Sequence, residues 1–257
     1  MNNLLTQGLT LTWRGLVPMR NSPGQIIGLL MQPLIMILVF VYLFGGANND
    51  GDRAGVVLYA LPGVLAQVTL MGTGRTGMML HTDLTNGVFD RVRGLPISRT
   101  APLLGRVLAD TVALAISAVA ALGMGYVVGF RVATGPAQAL LALLVLLGFA
   151  MCVGCVSAWV GLIAKNPAGI QVLITAVMLP LAMGSNAYMN PEYAPGWMRG
   201  WLEINPVSHL VSVIRGLLIG GDYATGLGGH LLATAIWGAV IAAVAAPLAV
   251  TAYKRRI

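Results

Sequence analysis

Few residues in this sequence have the type and spacing to do chemistry. Cys152 and Cys155 form a C-x-x-C pair, a spacing used for thiol–disulfide exchange or for half of a zinc site. Their flanks are Leu146-Leu147-Gly148-Phe149 and Val156-Ser157-Ala158-Trp159, and no second ligand pair accompanies them. They therefore read as small residues packed within an apolar helix. His81, His209 and His230 are scattered, without metal-ligand spacing. A phosphate loop requires Gly-Lys followed by Ser or Thr. The only lysines, Lys165 and Lys254, follow Ala164 and Tyr253, so no such loop exists. Serine and aspartate form no evident nucleophile set. The sequence predicts a non-catalytic chain with no metal site and no cofactor of its own.

One acid lies within an apolar run. Asp110 follows Arg106 by four residues, one helical turn, so the two can pair on one face. Such a charge pair sits near a membrane surface as a structural element. The functional alternative is a proton-relay or coupling residue.

The elements that would position these groups are membrane helices. The chain has 257 residues, 57% hydrophobic and 9% charged, against about 25% charged in a typical soluble domain. So few charges cannot cover a soluble surface, whereas a bilayer removes that need. Six uncharged or nearly uncharged runs are long enough to cross a core of about 30 Å. They lie at about 26–45, 56–78, 104–129, 137–163, 168–187 and 229–251. Residues 1–22 combine Trp13 and several leucines with Arg14 and Arg20, which suits an interfacial helix. Residues 188–220 hold Pro191, Pro195, Trp197, Trp201 and Pro206. The apolar stretch from Leu210 to Ile219 is too short to span, which favours a re-entrant element. The fold class is all-α integral membrane, with residues 1–257 as a single transmembrane domain.

Lys and Arg placement orients the chain. With the N-terminus inside, eleven of the fifteen basic residues face the cytoplasm: Arg14, Arg20, Arg75, Arg91, Arg93, Arg99, Arg106, Lys165, Lys254, Arg255 and Arg256. Arg53, Arg131, Arg199 and Arg215 lie outside. Both termini are then cytoplasmic. The net charge of +7 reads as topology and contact with anionic lipid, with no nucleic acid as partner.

The cytoplasmic segment 82–99, between the second and third spans, carries Leu84, Val88, Val92 and Leu95 at helical spacing, with Asp90, Arg91 and Arg93 as a charged face. A short amphipathic helix there lies on the membrane surface or docks into a groove of a soluble partner. The residues alone leave both readings open.

Gly87-Val88-Phe89-Asp90-Arg91-Val92-Arg93-Gly94-Leu95-Pro96-Ile97-Ser98-Arg99, followed by Leu104-Gly105-Arg106-Val107-Leu108-Ala109-Asp110, resembles the type-two permeases of ATP-binding-cassette (ABC) exporters. The likeness is greatest to their daunorubicin-resistance branch. Asn205-Pro206-Val207-Ser208-His209-Leu210, with Arg215-Gly216-Leu217-Leu218, is the second matching piece. The resemblance covers essentially the whole chain.

It implies that residues 82–99 hold the coupling helix, seated in a cleft of an ABC ATPase subunit. Asp83, Val88, Phe89, Asp90, Arg91, Val92, Arg93 and Leu95 would be its contacts, with Phe89 the apolar anchor and the arginines paired to acidic groups. Many relatives carry Glu where this chain has Asn86 and Asp90, so the individual salt bridges differ. The resemblance further implies an interfacial helix at 1–22 and an outer gating element at 188–220. ATP and Mg would bind on the partner ATPase. A second permease, a copy or a paralogue, would complete the bacterial plasma-membrane assembly. The expected function is ATP-driven export of an amphiphilic substrate: a drug, glycolipid or polyketide. Met36, Phe40, Gln67, Met71, Met178 and Met183 are the candidate substrate path. Against the residues alone, the alternatives are a proton-coupled drug carrier and a non-transport membrane scaffold or immunity protein. The carrier would need several membrane acids and inverted repeats.

Overall fold

The structure is a computed structural model that describes residues 12, 23–39, 53–87, 101–164, 166–188 and 194–256. The described residues contain helices and turns and no strand. In chain order the helices are α1 (Pro23–Val39), α2 (Arg53–Gly72), α3 (Gly74–Thr85), α4 (Ala101–Val128), α5 (Pro136–Ile163), α6 (Pro167–Met183), α7 (Gly196–Ile204), α8 (Pro206–Ile219) and α9 (Leu227–Arg256). A 3-10 turn at Gly221–Ala224 joins the last two.

Among the described residues, four helical stretches are long and apolar enough to cross a membrane: Val57–Thr85, Pro102–Val128, Pro136–Ile163 and Leu227–Arg255. The pair α7–α8 makes up to five, if its 76° bend is taken as one broken span. This is fewer than the six spans expected. The run expected at 26–45 is described only to Val39. The run at 168–187 is a helix of 17 residues, which rises about 25 Å and falls short of a core of about 30 Å. Pro180 lies inside it and its helix ends at Gly184.

Local sequence explains the helix starts. Asn166-Pro167 opens α6 and Asn205-Pro206 opens α8. In each, the Asn side chain accepts from the backbone N–H two residues on, Ala168 at 3.0 Å and Val207 at 2.9 Å. Proline then occupies the first turn, where no N–H is needed. Gly72-Thr73-Gly74 interrupts the second span for one residue, with Thr73 Oγ1 donating to the Leu70 carbonyl at 2.6 Å.

The main apolar core joins α2, α4, α5 and α8 through residues such as Leu61, Leu65, Leu114, Leu146, Phe149 and Leu210. A second cluster at the other end joins Leu80, Leu103, Leu162 and Tyr253. The opposite faces are apolar too. Leu104, Leu108, Val112 and Ile116 form an exposed stripe on α4, and Leu232, Ile236, Val240, Val244 and Leu248 one on α9. Stripes of this length mark a lipid-facing surface.

The helices α3 and α5 cross at backbone contact. A Cβ on Gly77 would strike the Ser157 carbonyl oxygen, and one on Gly161 the Gly77 carbonyl oxygen. Small residues permit such crossings in membranes. His81 Nδ1 lies 3.2 Å from the Gly161 carbonyl and reinforces it.

Candidate functional site

At the end of the bundle where α3 finishes and α4 begins, Asp110 gathers two arginines. Arg106 donates Nε and Nη2 to the two carboxylate oxygens at 2.9 and 2.8 Å. This is the bidentate geometry of a strong charge-assisted pair. Arg75, on α3, brings its Nε to 3.8 Å. Asp110 is 4% exposed. A carboxylate from α4 thus links its own helix to the second span, just above the segment that begins at Thr82. The interrupted helix from Val57 to Thr85 is about 43 Å long, longer than the apolar core. Its last turns therefore project toward that segment.

The first four residues of segment 82–99 belong to α3. Asp83 lies on its last turn, half-buried. Val88, Phe89, Asp90, Arg91, Val92, Arg93 and Leu95 lie outside the described residues, as does Phe40. Of residues 1–22, only Thr12 is described. It is buried, and its hydroxyl is 3.5 Å from the Gly105 carbonyl at the start of α4.

The described candidate path residues differ in exposure. Gln67 is 1% exposed. Its carbonyl accepts from the Tyr188 hydroxyl and its amide lies 4.0 Å from the Met71 sulfur. Met36 and Met178 pack partly buried against the core. Met183 is exposed on α6. An apolar cavity of about 260 Å³ lies among Leu65, Leu122, Leu143, Leu146, Ile214 and Leu218, and none of the five described path residues lines it.

At the other end, α7 and α8 form the bent pair. Ten of the 14 residues of α8 are buried, so its ends need internal partners. Asn205 caps the start. Its amide also donates to the Leu181 and Gly184 carbonyls at 2.8 and 3.0 Å, pinning the elbow to the end of α6. Trp201 Nε1 donates to Gly184 at 2.9 Å. At the far end, Thr134 donates to the Leu217 carbonyl at 2.5 Å and the Ala133 N–H to Leu218 at 3.0 Å. The turn between α4 and α5 therefore caps α8.

Arg215 is 5% exposed. Its guanidinium lies 3.9 Å from the Tyr59 ring centroid. It donates to the Tyr59 and Asn186 carbonyls at 3.1 and 3.0 Å. It ties α8 to the start of α2 and to the loop after α6. Sequence spacing did not single out Arg215, Tyr59, Tyr188 or Arg75 as a group. The available signal was two arginines within apolar runs, which by default mark functional positions in membrane proteins. Among the described residues, no three His, Cys, Asp or Glu side chains converge as a metal site. Cys152 and Cys155 are free.

Residues 6–219 match the family described as ABC-2 type transporter. The chain is 36% identical over 250 residues to the daunorubicin resistance ABC transporter permease protein DrrB1 of Streptomyces coeruleorubidus, covering 96% of this chain and 86% of that one. It is 26% identical over 236 residues to the probable doxorubicin resistance ABC transporter permease protein DrrC of Mycobacterium tuberculosis (strain ATCC 25618 / H37Rv), with 90% and 82% covered. The doxorubicin resistance ABC transporter permease protein DrrB of the same strain is 25% identical over 201 residues, with 76% and 70% covered.

Proposed function

Because the chain belongs to the ABC-2 type transporter family, we propose that it is the permease subunit of an ATP-driven exporter of an amphiphilic compound. The relatives named for daunorubicin and doxorubicin resistance favour a drug; a glycolipid or polyketide shares the required apolar and polar parts. The chain itself is non-catalytic. ABC ATPase subunits bind ATP and Mg and supply the energy.

The observation that carries the reading is the long helix from Val57 to Thr85, which ends at the basic amphipathic segment. We assign that segment as the coupling helix, with Phe89 in the ATPase cleft and Arg91 and Arg93 on its acidic rim. Nucleotide-driven closure of the paired ATPases moves the segment. The motion passes up α3, and the Asp110 link to Arg75 and Arg106 carries it to α4.

In this reading six spans cross a bacterial plasma membrane, with the runs at about 26–45 and 168–187 completing the set. Residues 1–22 lie at the interface and both termini are cytoplasmic, as the basic-residue bias requires. Two permeases face each other across a route along spans one, two and five. Met36, Phe40, Gln67, Met71, Met178 and Met183 meet the substrate there, where flexible methionines accommodate varied shapes. The hairpin α7–α8 gates the outer exit.

Co-purification tests the assignment. The ATPase subunit should bind the parent chain, and Arg91→Glu with Arg93→Glu should abolish both binding and efflux. Efflux that persists without any ATPase overturns the reading and returns the chain to the proton-driven carriers.

A further inference from the structure

His209 and His230 are separated in sequence, yet the fold brings them together. His209 is in the first turn of α8 and His230 in the first turn of α9. Their Nδ1 atoms are 3.0 Å apart, with ring centroids at 5.3 Å and planes tilted by 44°. Both side chains are half-buried, so the pair is open to solvent on one side. Neither takes part in the coupling or the path described above. The backbone holds both in place: the His230 N–H donates to Gly226 at 3.1 Å and the His209 N–H to Asn205 at 3.4 Å. The helices α8 and α9 also pack along each other.

Two neutral imidazoles facing through the same nitrogen can share only one proton, one donating and the other accepting. A cation that accepts both lone pairs satisfies both rings. We propose that the His209–His230 pair binds one divalent transition-metal ion. The ion takes the place of the shared proton, which moves to Nε2 of the histidine that carried it, so no net proton is lost. Two nitrogens 3.0 Å apart, each about 2.0–2.1 Å from a metal, subtend about 95°. That is near the right angle between neighbouring ligands in octahedral or square-planar sites, the geometries of Ni²⁺ and Cu²⁺. Tetrahedral zinc requires the nitrogens to part by about 0.3 Å. Water on the open side completes the coordination. The bound ion staples α8, already tied to α2 through Arg215, to α9.

The test uses the purified permease with a histidine-free affinity tag, titrated with NiCl₂ by calorimetry. One ion per chain is expected to bind and to raise the thermal midpoint. His209→Ala and His230→Ala should each weaken binding at least about tenfold and remove the thermal shift, while His81→Gln keeps both. If an alanine variant elutes as aggregate, His209→Gln and His230→Gln replace it, since they keep a polar side chain of similar reach. Absence of saturable binding, or parental affinity in either variant, overturns the proposal. The measurement needs neither ATP nor an ATPase subunit, so its failure leaves the export reading intact, and the reverse also holds.

Discussion

At the residue scale, Asp110 and Arg215 solve the same problem differently. Asp110 is a buried acid satisfied by the fork of Arg106 and approached by Arg75. Removing its charge leaves two guanidinium groups close together and poorly solvated. Asp110→Asn should therefore cost about 3 kcal/mol, seen as a lower melting temperature in detergent. Adding Arg75→Gln to that variant should cost less than the two single changes summed, because they share one network. Arg106→Lys keeps the charge but loses the second bond of the fork, so it should be destabilised too. Arg215 is a buried cation satisfied by carbonyls and the Tyr59 ring. Arg215→Lys should lose the stacked plane and one of the two short bonds. It should reduce efflux, if the α7–α8 hairpin gates, while leaving ATPase binding unchanged. The Arg106–Asp110 spacing was visible in the sequence because a helical turn is a local fact. The approach of Arg75, and the docking of Arg215 on a carbonyl 156 residues away, depend on how helices pack and leave no local trace.

At the element scale, the punctuation was legible and the closeness of the helices was not. The run expected from about 168 begins one residue from the start of α6 at Pro167, and the shortness of the run at Leu210–Ile219 argued against a simple span. The 33 glycines of the sequence favour close helix packing only in general. Their count could not say that Gly77 meets Gly161 or that α3 lies against the Ser157 carbonyl. The interruption at Thr73 was likewise hidden, since Gly72 and Gly74 alone do not end a helix in an apolar setting. The crossing gives a direct prediction. Gly77→Val forces α3 away from α5, at a cost of about 1–3 kcal/mol for overpacking, whereas Gly123→Val, with open space around it, should be nearly neutral. Membrane yield and melting temperature distinguish the two. The caps of α8 give another. Asn205→Ala removes the helix cap and both bonds to the end of α6. It should cost about 2 kcal/mol and expose the elbow at Ile204 to proteolysis.

At the scale of the whole molecule, the question is which lipid-facing surface is in fact covered. Composition established a membrane protein, and no composition can say where a second permease sits. Apolar side chains stand exposed on α4, α5 and α9, and also on α1 and α6, where Ile27, Met31 and Ile35 are matched by Val172, Leu173 and Val177. Both α1 and α6 pack beside α2, which continues through α3 to the proposed coupling segment. A partner on this side would sit where motion of α2 and α3 reaches the interface, whereas one on α9 would contact the helix farthest along the chain from that segment. The proposed route between permeases therefore requires α6 to be near its counterpart and α9 to face lipid. Single cysteines separate these cases once Cys152 and Cys155 are replaced by serine. If the second permease is a copy of this chain, Val177→Cys should give a dimer-sized product on mild oxidation, and Val240→Cys should remain monomeric. Cross-linking through Val240→Cys alone would place the partner on the opposite face. The path residues on α1, α2 and α6 would then face lipid, and the substrate would have to pass elsewhere.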